Sequence, residues 1–329
     1  MRISCERMGT THGHVEQGPT PVDAYTLDTG QGLAIKVMTY GATLLEVLVP
    51  DRAGRSANVV VRLPDLPSYE NREINPYLGA TIGRYARCIA TGSFRLDGIL
   101  YELDRNFDPH HNHGGTIGFD RFVWNAESSN EKGCLVLRLR LNRPHGDQGY
   151  PGALEAETIY RVAGGILSFE HRATTSASTV VALTNHTFWN LAASGSIGAH
   201  LLTINAKRLL MVDKDLIPVG QPVPVTGTSF DYTSPRAIGE HHLDHCFVLD
   251  DATWAAELSD PASGRRMRLR TDQPGLQVYS ADAFREPRIG LSLQTGTWPD
   301  SANRVDFPSP RLDPGMTYCH WSTHEFSVA

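Results

Sequence analysis

Four stretches of this chain place imidazole, guanidinium, carboxylate or carboxamide groups where an ordinary strand needs none. The first, Gly79-Ala80-Thr81-Ile82-Gly83-Arg84-Tyr85-Ala86-Arg87-Cys88-Ile89, sets arginines among glycines that permit tight backbone. The second, His110-His111-Asn112-His113-Gly114-Gly115, runs on to Gly118-Phe119-Asp120-Arg121 and Trp124. The third, Leu183-Thr184-Asn185-His186-Thr187-Phe188-Trp189-Asn190-Leu191, puts a histidine inside an apolar and aromatic run. The fourth is Asp244-His245-Cys246-Phe247-Val248-Leu249. Imidazoles titrate near neutrality, so proton transfer is the chemistry these stretches suggest. Singly, each also has a structural explanation. A strand histidine between Asn and Thr is often a hydrogen-bonded core residue. The histidine run has no Asp or Glu beside it at a metal-ligand spacing, and an Asp-His pair commonly caps a turn.

The elements that must hold these groups read as strands. Apolar side chains recur at every second position in Leu33, Ile35 and Val37, in Leu135, Leu137, Leu139 and Leu141, and in Leu154, Ala156, Thr158 and Tyr160. That period belongs to half-buried strands. The stretch from Ala255 to Arg270, with Pro261-Ala262-Ser263-Gly264 at its middle, reads as a hairpin. Short helices are expected only at Leu66 to Arg72 and Pro235 to Glu240, neither with a sustained amphipathic spacing. Many strands without alternating long helices predict an all-β fold, an antiparallel β-sandwich. No linker or internal repeat divides the chain, so residues 22–329 are expected to form one domain. Residues 1–21, rich in Gly, His, Thr and Pro towards their end, are expected to be a mobile leader.

Composition narrows the partners. The net charge of -6 is spread over 36 acidic and 30 basic residues with no long run of one sign, which disfavours nucleic acid and anionic membrane. Five scattered cysteines without a C-x-x-C pair argue against a disulfide framework and fit a reducing cytoplasm. Charged residues in Met1-Arg2-Ile3-Ser4-Cys5-Glu6-Arg7 do not suit a signal peptide, and no stretch approaches membrane-spanning length. A small uncharged ligand is the expected partner. Oligomeric state is not readable from the residues.

Taken together and in order, the stretches resemble the galactose mutarotase (aldose 1-epimerase) family from about Tyr25 to the C-terminus. The resemblance rests on Tyr40-Gly41-Ala42, the run from Gly79 to Ala86, His113-Gly114-Gly115 with Gly118-Phe119-Asp120, and Gly149-Tyr150-Pro151-Gly152. It continues through Leu183-Thr184-Asn185-His186, Asp244-His245, Gly275-Leu276-Gln277, Pro299-Asp300 and Phe307-Pro308-Ser309-Pro310. It implies a large antiparallel supersandwich with a sugar cleft on one sheet, and no metal or organic cofactor. It also implies the reaction: opening of a cyclic hemiacetal and reclosure on the other face, which needs one acid and one base. The resemblance assigns the acid to His186, a second imidazole to His113, and sugar hydroxyl contacts to Asp244 and Gln277. Arg84, Arg87, Gln294 and Trp298 are expected to join them in binding substrate, Trp298 by stacking on a ring.

Three departures from the family pattern fall at the site. The family base is a glutamate in a Leu-Glu-x-Gln segment just before Pro-Asp. Here that segment reads Leu293-Gln294-Thr295-Gly296-Thr297-Trp298-Pro299-Asp300, and a carboxamide has no basic lone pair at neutral pH. After Arg-Tyr-Ala the family usually has Asn-Arg, and this chain has Arg87-Cys88. Three readings stay open on the sequence. The chain is an aldose 1-epimerase-like isomerase whose base work has moved to Asp244, His113 or His245. Or the scaffold is repurposed as an epimerase, cyclase or lyase on a modified sugar or natural product, with Arg87 free to pair a carboxylate or phosphate. Or it is a non-catalytic sugar-binding protein.

Overall fold

In the computed structural model, which describes residues 1–250 and 254–329, three antiparallel sheets of five or more strands carry most of the strand structure, alongside four two-stranded pairs. The largest has nine strands and begins Asn125–Glu131, Cys134–Arg143, Leu154–Ala163, Ile166–Thr175, Tyr318–Val328 and Arg265–Thr271. The period-two runs set its register. Leu137 lies opposite Tyr160, Leu139 opposite Thr158 and Leu141 opposite Ala156, so both runs turn the same face inward. That face packs with Phe169, Trp189, Leu269, Leu276, Val278 and Leu291 in one continuous core.

A second sheet of six strands carries much of the candidate chemistry, in the order Phe188–Trp189, Leu291–Gly296, Gly275–Tyr279, Asp244–Val248, Arg208–Leu209 and Val223–Pro224. A third, of five strands, runs in chain order from Arg2–Thr10 to Ser56–Asn58. The expected hairpin is present: Ala256–Ser259 pairs with Arg265–Thr271.

Two expectations are corrected. Residues Arg2–Thr10, inside the expected leader, form a strand paired with Pro21–Asp28, and Glu16 and His14 anchor the following segment on Arg143 and on the Phe122 ring. That strand owes its form to a long-range partner rather than to its own pattern. The stretch Pro235 to Glu240 is not helical. Arg236–Ala237 pairs instead as an edge strand with Leu201–Ile204, whereas the other short candidate does form a helix, Leu66–Glu70, capped by Asp65. The described residues include no helix long and apolar enough to cross a membrane.

Candidate active site

An open-mouthed cavity of about 190 Å³ lies over the six-stranded sheet. Its floor is written in the strand register. Gln277 sits directly opposite Cys246 on one side and Gln294 on the other, and Tyr279 sits opposite Asp244 and Ser292. Directly opposed residues share a face of the sheet, so Asp244, Gln277, Tyr279 and Gln294 rise into the cavity together. Gln277 Nε2 donates to Asp244 Oδ1 at 2.7 Å, while Gln277 Oε1 and Gln294 Oε1 have no protein partner. Two buried acceptors without donors are a standing demand for hydroxyl groups.

His186 enters from the side wall. Thr184–Asn185 pairs with Thr81–Ile82 and Phe188–Trp189 pairs with the Leu291–Gly296 strand, so the histidine is held where the chain passes between two sheets. Its backbone N–H donates to Ala80 O at 2.9 Å, and its carbonyl accepts from Gly79 N at 3.0 Å. Asn185 locks the passage, donating to Gly79 O at 2.9 Å and accepting from Thr187 N at 3.0 Å. Gly79 has to be glycine: φ is 68° and a Cβ there would lie 2.2 Å from Leu44 O. The His186 ring stacks on Phe188 at 5.0 Å, and its Nδ1 has no partner.

His113 stands beside it, ring centroids 5.1 Å apart and edge to face. Its Nδ1 accepts from the Arg87 backbone N–H at 3.0 Å, so a neutral ring carries its proton on Nε2. His110 and His111 serve elsewhere. His110 Nδ1 accepts from Thr91 N, and His111 bridges Asp104 O and the Tyr150 hydroxyl.

Electrostatics separate these groups. Burial, helped by the positive charges of Arg87 and Arg72, pulls His186 down to about 3. Burial, with His186 and the same two arginines, pulls His113 well below its ordinary value. Burial pushes Asp244 up to about 6, partly opposed by the hydrogen bond from Gln277. Asp244 is the only carboxylate lining the cavity among the described residues.

Arg87 lines the cavity with its φ at 69°, and its guanidinium donates to the carbonyls of Thr297 and, at 2.7 Å, Gln294. Gly296 is what admits it, because a Cβ there would lie 2.9 Å from Arg87 Nη1. Arg87 and Gln294, two positions that depart from the family pattern, are therefore in contact, with Arg87 packed over Gly296.

Two expected binding residues lie outside the cavity. Arg84 is fully buried behind it, donating from Nη1 to Pro151 O and Gly152 O, each at 2.8 Å. It braces the turn that precedes Leu154–Ala163 and is not part of the cavity lining. Trp298 donates from Nε1 to Pro274 O at 3.1 Å and packs edge-on against Phe307 at 4.9 Å, which fixes it in the scaffold. His245, a candidate base, packs on Phe230 and is also absent from the lining, and Trp189 is core, stacked on His324.

Sequence reasoning missed Tyr77, Phe107, Asn112, Leu216 and Tyr279, all of which line the cavity. Tyr279 lies two residues after Gln277 on one strand, so period two was a usable signal for it. Phe107 and Leu216 come from irregular loops that carry no periodic signal.

The sequence profile of the aldose 1-epimerase family matches residues 23–325. The chain is 37% identical to the galactose mutarotase of Homo sapiens over 340 residues, covering 96% of this chain and 97% of that protein. It is 31% identical to the aldose 1-epimerase of Escherichia coli K12 over 335 residues, 93% of this chain and 95% of that one. Among solved structures, galactose 1-epimerase from Lactobacillus acidophilus superposes with a TM-score of 0.88 at 25% identity, covering 100% of this chain and 99% of that one. A GalM/aldose epimerase homologue from C. elegans gives 0.86 at 26% identity over 92% of this chain and 98% of that one. With its supersandwich fold and a match along nearly its whole length, this chain belongs to the aldose 1-epimerase family.

Proposed function

We propose that the protein is an isomerase that opens the cyclic hemiacetal of a sugar and recloses it on the opposite face, with Asp244 as the acid and His186 as the base. Asp244 gives its proton to the ring oxygen while His186 takes the proton of the anomeric hydroxyl. The bond from the anomeric carbon to the ring oxygen breaks, leaving an aldehyde and a free hydroxyl. A half-turn about the next carbon–carbon bond presents the other aldehyde face, and the two transfers reverse.

The observation that carries this reading is one carboxyl, Asp244, and the His186 imidazole lining the same cavity, where burial raises the first and lowers the second. With Asp244 near 6 and His186 near 3, a single proton shared between them rests on the carboxyl. The neutral imidazole of His186, which lines the cavity, is then the base. This reverses the acid role that the family resemblance gives His186, and the first reason is burial of the ring. With a carboxamide at position 294, no carboxylate stands by to stabilise an imidazolium, and the positive charges of Arg87 and Arg72 oppose one. Gln277 and Gln294 supply acceptors for hydroxyls, and Tyr77 offers a ring wall.

The test is the pH dependence of catalysed anomer equilibration. The rate over buffer is expected to rise as pH falls through the Asp244 value, and Asp244→Asn to remove that limb. A rate that instead rises with pH through that range would make Asp244 the base and overturn the assignment.

A further inference from the structure

Arg87 is buried in the cavity wall, 5% exposed, and among the described residues its guanidinium has carbonyl partners but no ion-pair partner. Its Nε has no partner at all. Carbonyl dipoles offset part of the cost of burying a cation, and an unpaired buried charge still carries a penalty. The other guanidinium near the imidazoles, Arg72, is neutralised by Asp120. Asp244, the carboxyl in the lining, is hydrogen-bonded to Gln277 and, among the described residues, forms no ion pair with Arg87.

Resting on the reading of this cavity as a sugar site, we infer that the preferred sugar carries a carboxylate at the carbon remote from its hemiacetal: a uronic acid, its carboxylate lying towards Arg87. Arg87 meets position 294 through its main-chain carbonyl, and the carboxamide of Gln294 adds no negative charge to the wall that a glutamate there would add. Gly296 supplies the room that the guanidinium needs. One unpaired cation matches one negative charge. A phosphate ester, with nearly two charges and three acceptor oxygens, calls for several donors that this wall does not offer.

The direct test is calorimetric binding of galacturonic acid and of its uncharged methyl ester, which keeps the same ring, to the wild-type protein. The acid is expected to bind at least about tenfold more tightly. Arg87→Gln should bring the acid-to-ester ratio close to one, and Arg87→Lys should preserve much of it. Equal binding of acid and ester, or of neither, overturns the inference, and the wild-type ratio stands even if Arg87→Gln fails to fold. Equilibration of α-galactose in the same samples keeps the two readings apart. Galactose turned over without any preference for the acid removes only this inference, while acid bound but never equilibrated removes only the isomerase reading.

Discussion

The guanidinium of Arg87 fills the space above Gly296, where a Cβ would come within 2.9 Å of Nη1. Gly296→Ala is therefore an overpacking change at a site with no slack. It is expected to destabilise the protein by about 1–3 kcal/mol, measured by denaturant unfolding. With Arg87→Ala already in place the penalty should largely vanish, and a double-mutant cycle reads that coupling. Additive effects would mean that the two positions are independent.

Gln294→Glu returns a carboxylate to the cavity floor directly opposite Gln277. Since a positioned base typically contributes about 10²–10⁴ in rate, the variant should equilibrate α-galactose at least about tenfold faster than the parent. Arg87 next to the new carboxylate favours its ionised form. The preference for a charged sugar should weaken in the same variant, because a carboxylate in the cavity wall repels the carboxylate of the sugar. No gain in rate would indicate that the cavity had been reshaped beyond the loss of one base.

Arg84 separates scaffold from site. Its Nη1 satisfies two carbonyls on one turn, Pro151 and Gly152, and each orphaned buried acceptor costs about 1–3 kcal/mol. Arg84→Ala should lower stability by several kcal/mol on that scale, while folded protein keeps the parent KM. A raised KM with unchanged stability would place Arg84 in the binding site after all.

Acid stability follows from the buried imidazoles. His186 and His324 are pulled down to about 3, and His111 and His320 to about 4, in each case chiefly by burial. For a depressed histidine, the unfolded chain takes up a proton below about 6.5 before the folded chain does. Stability is therefore complete above that pH and is lost as pH falls towards 4 and 3. Asp244 acts in the opposite sense. Its carboxyl is raised to about 6, so its burial disfavours the fold increasingly as pH rises from the unfolded carboxylate value to 6. Four histidines outweigh one aspartate, and the midpoint of urea unfolding is expected to drop steadily below pH 6.5. His324→Phe should flatten that slope, and an unchanged slope would contradict the assignment.

Much of the sheet architecture was legible because it depends on period two. Leu135 to Leu141 and Leu154 to Tyr160 turn one face inward in the register that their alternation implies. The polar floor was legible only through the family motifs that carry Asp244, Gln277 and Gln294, because the cross-strand order that brings them together is a long-range pairing. Arg84 and Arg87 could not be told apart in advance. They are three residues apart in a glycine-rich stretch, and only the left-handed turn at Arg87, which no local pattern announces, aims one into the cavity and the other behind it. The Arg2–Thr10 strand was hidden because its stability comes from pairing with Pro21–Asp28 rather than from its own residues.

The central claim, that this cavity opens and recloses a hemiacetal, is tested most directly by polarimetry near pH 6 on freshly dissolved α-galactose and α-galacturonic acid, with His186→Ala as the paired control. The account predicts equilibration faster than buffer for the parent protein and at the buffer rate for His186→Ala. Equilibration of both sugars at the buffer rate with the parent protein, or acceleration that survives His186→Ala, would contradict it.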